Sequence, residues 1–93
     1  MEKITVDGVD YRAGSWDMFG VKILLIKGTR GALGCGYINL AAAEKFGHAL
    51  AVVSGVADYN EMLAAEVKAV SSAAAELGIT PGMTGKEALE KLA

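Results

Sequence analysis

Gly31-Ala32-Leu33-Gly34-Cys35-Gly36-Tyr37-Ile38-Asn39 is the stretch on which the fold turns. Its alternation predicts a strand over 32–38, with Leu33, Cys35 and Tyr37 on one face and Ala32, Gly34, Gly36 and Ile38 on the other. Asn39 suits the cap of a helix running to Phe46, with Gly47 as its stop. Two glycines on one strand face leave little to pack there. A helix, a neighbouring subunit or a ligand is therefore expected to approach that backbone closely.

Upstream, Ile4-Thr5-Val6 leads into Asp7-Gly8, after which Val9 and Tyr11 resume the alternation. Asp-Gly between β-formers is a strong hairpin signal, because both central residues of the tight turn take positive φ. The run 21–26 is apolar on both sides, which predicts cover on both faces. Gly28-Thr29-Arg30-Gly31 reads as the next turn.

Downstream, 50–54 reads as a short buried strand. Asp58, with Glu61 three residues on, opens a helix over 59–64. A further helix is expected over 70–77, ended by Gly78. Thr84-Gly85-Lys86-Glu87 is a full capping box for the last helix, with Ala88, Leu89 and Leu92 as its inner stripe and Glu87–Lys91 as an i,i+4 pair. Strands first and a mixed βα portion after them predict one α/β (α+β) domain over 1–93. It divides into a β-rich antiparallel region at 1–31 and a small βα body with about four helices at 32–93.

Composition narrows the function classes. Ala, Val, Ile, Leu, Met, Phe, Trp, Cys and Gly make up 58 of 93 residues, well above the roughly 45–50% of an average domain, so disorder is excluded and a surplus of apolar surface remains to be hidden. Nine basic and eleven acidic residues leave a net charge of −2, which lacks the clustered positive excess nucleic-acid binding needs. Lys22, Lys27 and Arg30 are the nearest approach to a basic patch and read as a solvated strand edge. The opening Met1-Glu2-Lys3-Ile4 is unlike an export signal, and the aliphatic runs 23–26 and 49–53 fall far short of the roughly 18 residues of a membrane span. With one cysteine and no disulfide to form, a cytoplasmic protein is expected that binds neither membrane nor nucleic acid.

Three segments carry a resemblance: residues 33–39, Gly55-Val56-Ala57-Asp58-Tyr59-Asn60-Glu61-Met62-Leu63, and Leu77-Gly78-Ile79-Thr80-Pro81-Gly82-Met83-Thr84-Gly85-Lys86-Glu87-Ala88-Leu89. In this order and spacing they resemble the YunC-like proteins, a bacterial and archaeal family classed as a domain of unknown function. The resemblance implies an N-terminal β region that forms a tetramer, with a small α/β body behind it. It implies no established activity, and so no catalytic residue. Cys35 and Asn39 match the family's Cys-Gly-Tyr/aliphatic-Asn/Asp segment. Asp58 stands where Thr is commoner, and Ala69 where a small polar residue is usual.

No nucleotide loop is complete. Gly31–Gly36 and Gly82–Glu87 fit neither G-x-G-x-x-G nor G-x-x-x-x-G-K-[ST], and both read as turns and close packing. One His and one Cys make no usual metal spacing, and no cofactor is expected. Two readings remain. The first is a non-catalytic homo-oligomer, a scaffold or a binder of an unidentified small molecule, whose interface is anchored by Trp16, Met18 and Phe19. The second is a small enzyme with Cys35 as nucleophile, served by a pocket near Gly34, Gly36 and Asn39. A reactive thiol needs a cation, a His or a helix N-terminus close by. Asn39 lies four extended residues (roughly 13 Å) away, so a buried, inert strand cysteine is the simpler expectation. His48, after a helix-ending Gly, is expected in a solvated loop.

Overall fold

Two glycine-containing tight turns build the front of the molecule. In the computed structural model, which describes residues 2–93, β1 (Glu2–Val6) and β2 (Val9–Met18) pair antiparallel across Asp7-Gly8. Asp7 and Gly8 sit at φ 50° and 80°, as the sequence requires. Met1, at the head of the expected β region, lies outside the described residues. Phe19 and Gly20, at φ 52° and 88°, make a second such turn between β2 and β3 (Val21–Lys27). Gly28 N–H donates to Gly31 O at 2.8 Å to close the third turn, before β4 (Gly31–Gly34).

The chain then leaves the sheet and returns parallel to it. Helix α1 (Leu40–Phe46) is capped by the Asn39 side chain, which accepts the Ala42 N–H at 3.1 Å, and it ends at Gly47. It delivers the chain to β5 (Ala49–Val52), which runs parallel to β4 with Gly31 opposite Ala49. Helix α2 (Tyr59–Ala64), the short edge strand β6 (Ala69–Val70), α3 (Ser72–Glu76) and α4 (Gly85–Leu92) complete the chain. The six strands lie in chain order β1 to β6, and β4–β5 is the one parallel neighbour pair among the described residues. The mixed α+β class and the four helices match the sequence reading.

Strand parity sorts the side chains into two faces. Tyr11, Ala13, Leu24, Ile26, Leu33, Ala51 and Val53 point to the inner face and are buried against Met62, Ala74, Ala88, Leu89 and Leu92 of α2, α3 and α4. The Tyr11 hydroxyl donates to Leu89 O at 3.4 Å across this layer. The Thr84 box forms as expected, with Thr84 Oγ1 accepting the Glu87 N–H and the Glu87 carboxylate accepting the Thr84 N–H. That exchange holds the Glu87 carboxyl below the usual range, because backbone and hydroxyl donors stabilise its charged form. On the outer face helix α1 packs against β5.

Several expectations need correction. The strand over 32–38 stops at Gly34: Ile38 N–H donates to Cys35 O at 3.0 Å, and the resulting turn leaves Tyr37 exposed. The partner of the bare Gly34 face is then Ile38 of the same chain, 2.8 Å from where a Cβ would stand, while Gly36 meets only Ser54 at an ordinary 3.7 Å. The strand over 50–54 is shifted to 49–52. The helix over 70–77 begins two residues late. Val70 pairs with Ala51 at the sheet edge, and Ser71 caps what remains. Double cover of 21–26 holds only at one end: Leu24 and Ile26 are buried, Ile23 and Leu25 half-buried, and Val21 is 50% exposed.

Candidate functional site

Pairing lengths create a projecting arm. β1 pairs with β2 only as far as Ala13, and β4 pairs with β3 only from Leu25. Beyond those points β2 and β3 continue to the Phe19-Gly20 turn with no further strand beside them among the described residues, Cys35 still engaging the Leu24 backbone. Three successive cross-strand pairs share the outer face of this arm: Gly14–Leu25, Trp16–Ile23 and Met18–Val21. All are apolar. The Trp16 indole folds back over Gly14, where a Cβ would collide with the ring. Trp16, Met18 and Val21 are 51%, 40% and 50% exposed, and Phe19 is 97% exposed in a left-handed conformation that glycine or asparagine would adopt more easily. The other face of the arm carries the Asp17–Lys22 pair at 3.9 Å. The Trp16, Met18 and Phe19 named from the sequence therefore cluster at one exposed tip.

A second feature lies where α1 lifts off the outer face. An open cleft of about 610 Å³ runs between α1 and strands β3, β4 and β5. Leu25, Ala32, Ile38, Ala42 and Leu50 form its apolar floor, and Phe46, 67% exposed, stands at its edge beside His48 with ring centroids 6.0 Å apart. Lys27, Arg30 and His48 also line it. The parallel register explains their meeting: Gly31 opposite Ala49 sets Arg30 beside His48, and Lys27 faces Ala32 one strand over. All three side chains are exposed and His48 lies in the loop after α1, as the sequence reading expected; what that reading missed is that they meet. Strand alternation could have put Lys27 and Ala32 on one face, but the β4–β5 pairing has no local signal.

The residues named for a thiol pocket are not brought together. Cys35 is 4% exposed, its sulfur accepts the Leu24 N–H at 3.3 Å, and it packs in the inner core. Asn39 lines the cleft but its side-chain oxygen is used as the α1 cap; Gly34, Gly36 and Cys35 do not line it. Among the described residues no group of three His, Cys, Asp or Glu side chains is placed to hold a metal ion. The strongest pKa displacement is elsewhere. Burial first, and then the neighbouring Glu2 carboxylate, push Tyr59 up to about 12. No helix among the described residues is long and apolar enough to cross a membrane.

The chain is similar to a crystal structure from Thermoplasma acidophilum described as a protein of unknown function, TA1206. The two superpose with a TM-score of 0.92 at 33% identity, over 99% of this chain and 90% of that one. No functionally curated protein matches. Residues 34–92, which hold the strand end, α1 and the whole helical layer, match the profile of a family described as a domain of unknown function (DUF1805). The chain belongs to the DUF1805 family.

Proposed function

We propose that the protein is a cytoplasmic, non-catalytic scaffold that assembles with its own copies through the β2–β3 arm. The observation that carries this reading is the uncovered apolar face of the arm, with Trp16 and Phe19 displayed at its tip. With Trp16 half exposed and Phe19 almost wholly so, the two rings offer about 300 Å² of apolar surface per copy. That is a large share of the roughly 800 Å² each partner contributes to a standard interface. An isolated two-stranded ribbon is marginal in water, and packing against another copy's ribbon gives it a second layer. Among the described residues the β2 edge of the arm has no strand partner beyond Ala13, whereas on the β3 edge Cys35 engages the Leu24 backbone. Arms related by a twofold axis meet stripe to stripe, and pairs of such dimers give the homotetramer. The resemblance to YunC-like proteins supports the same N-terminal β assembly.

A thiol enzyme built on Cys35 draws no support from the geometry, because the sulfur is enclosed and accepts a backbone N–H.

Sedimentation equilibrium at micromolar concentration tests the proposal. The wild type is expected as a tetramer, and the Trp16→Ser/Phe19→Ser double variant as a smaller species with an unchanged circular dichroism spectrum. Both side chains are exposed, so the monomer fold does not need them. A monomeric wild type, or a double variant that still forms tetramers, would overturn the reading.

A further inference from the structure

We infer that the cleft between α1 and strands β3–β5 is a binding site for a small organic anion: one carboxylate or phosphate head on an aromatic or branched apolar body. The inference does not depend on association of the arms. Volume, floor and rim each point to it. About 610 Å³ lies within the roughly 300–1,000 Å³ range of small-molecule sites. The floor of Leu25, Ala32, Ile38, Ala42 and Leu50 is apolar and offers nothing to a polar body.

The rim has one sign of charge. Lys27 and Arg30 both line the cleft, and among the described residues no carboxylate lines it and neither cation has an ion-pair partner. Among the described residues Lys3, Lys22 and Lys86 pair with Asp10, Asp17 and Asp7, whereas Lys27 and Arg30, like Arg12, Lys45, Lys68 and Lys91, form no ion pair. On α1 the one acid, Glu44, is turned away, its carboxylate accepting the Ser72 N–H at 3.1 Å. An arginine fork beside a lysine suits a planar carboxylate or a phosphate, the first held bidentate and both strengthened by charge. Phe46, exposed at the edge next to His48, supplies a ring face against which an aromatic body stacks.

Lys27 and Arg30 thus select the head, and the floor with Phe46 selects the body. The neutral counterpart of the ligand keeps the apolar contacts and loses the head. A purely inorganic anion keeps the head and loses the floor.

Three probes separate these contributions in ¹H–¹⁵N correlation spectra of the intact protein: 4-phenylbutyrate, phenyl phosphate and the uncharged 4-phenylbutanol. One or both anions are expected to shift the amides of Ile38, Ala42, Phe46 and Leu50 in a saturable manner. The alcohol is expected to bind about tenfold more weakly or worse, the scale of one lost charge-assisted hydrogen bond. Lys27→Gln/Arg30→Gln, which changes only exposed side chains, should bring anion affinity down to that of the alcohol. Which anion binds tells carboxylate from phosphate. Light scattering on the same samples reports association separately, so a failed arm and a failed cleft are distinguishable. Equal affinity for alcohol and anions, an unchanged affinity in the double variant, shifts confined to the arm, or no saturable shift with either anion would each overturn the inference.

Discussion

Replacing Ser71 by Ala removes one oxygen and with it three hydrogen bonds. The side chain is fully buried, its hydroxyl donating to His48 O at 2.7 Å while accepting the Leu50 N–H at 2.9 Å and the Ala74 N–H at 3.3 Å. It is at once the cap of α3 and the tie that holds the entry of β5, one wall of the cleft, against that helix. Losing a serine cap costs about 1 kcal/mol. Leaving the buried Leu50 N–H without a partner costs about 1–3 kcal/mol more. Ser71→Ala should therefore lose about 2–4 kcal/mol, and about 10–25 °C in Tm for a domain of this size. Urea unfolding at fixed protein concentration is the suitable assay, since association would otherwise shift the midpoint. The m-value should stay constant while the midpoint falls. The neighbouring Ser72→Ala is the control and should stay within about 0.5 kcal/mol, because only the Ser72 backbone N–H is engaged, by Glu44. A loss below about 1 kcal/mol for Ser71→Ala, or an equal loss for both variants, would mean that the hydroxyl is not the tie described.

Gly85 opens α4 against α2, and a Cβ there would collide with the Met62 carbonyl oxygen and stand 3.2 Å from Leu33 Cδ2. Gly85→Ala should therefore destabilise by about 1–3 kcal/mol despite alanine's better helix propensity, and a stabilised variant in thermal unfolding would show that the α2–α4 contact is looser than described. The Tyr59 hydroxyl is buried without a hydrogen-bond partner among the described residues, the Glu2 carboxylate lying near enough to raise its pKa without pairing fully. Tyr59→Phe should be neutral or stabilising by up to about 1 kcal/mol in urea unfolding, and a loss greater than that would reveal a partner. Because the phenol is protonated more tightly in the fold than in the unfolded chain, its stabilising contribution is complete below pH 10 and declines as pH rises towards 12. The variant should show a shallower alkaline decline, the remainder coming from Tyr11, whose pKa burial also raises, and identical profiles for the two proteins would exclude Tyr59 as a source.

Legibility followed the range of the interactions. Asp7-Gly8, the Asn39 cap, the Asp58 cap with Glu61, and the Thr84–Glu87 box were readable because each is closed by residues three or four apart, which any chain with that local sequence can satisfy. The misread segments are those where a distant partner competes with local preference. Val70 could continue a helix, yet Ala51 draws it to the sheet edge. Tyr37 could face the core with Leu33 and Cys35, yet the Cys35–Ile38 turn ends the strand to seat Ile38 on Gly34.

The candidate surfaces divide the same way. That Trp16, Met18 and Phe19 are unusual for so small a domain was visible in the chain itself, since apolar residues beside Asp17 have no local reason to be wet. Their exposure on one arm depends on where β1 begins, at Glu2 among the described residues, and where β4 ends, at Gly34, which is a matter of register. The cleft owes nothing to local sequence. Lys27 and Arg30 flank a turn, His48 follows a helix, and Asn39 precedes it. Only the parallel pairing of β4 with β5, after a crossover through α1, brings them around one floor. Backbone capping and turn chemistry are settled over a few residues, whereas a parallel pairing closes a long loop whose register is decided by packing on both faces of the sheet.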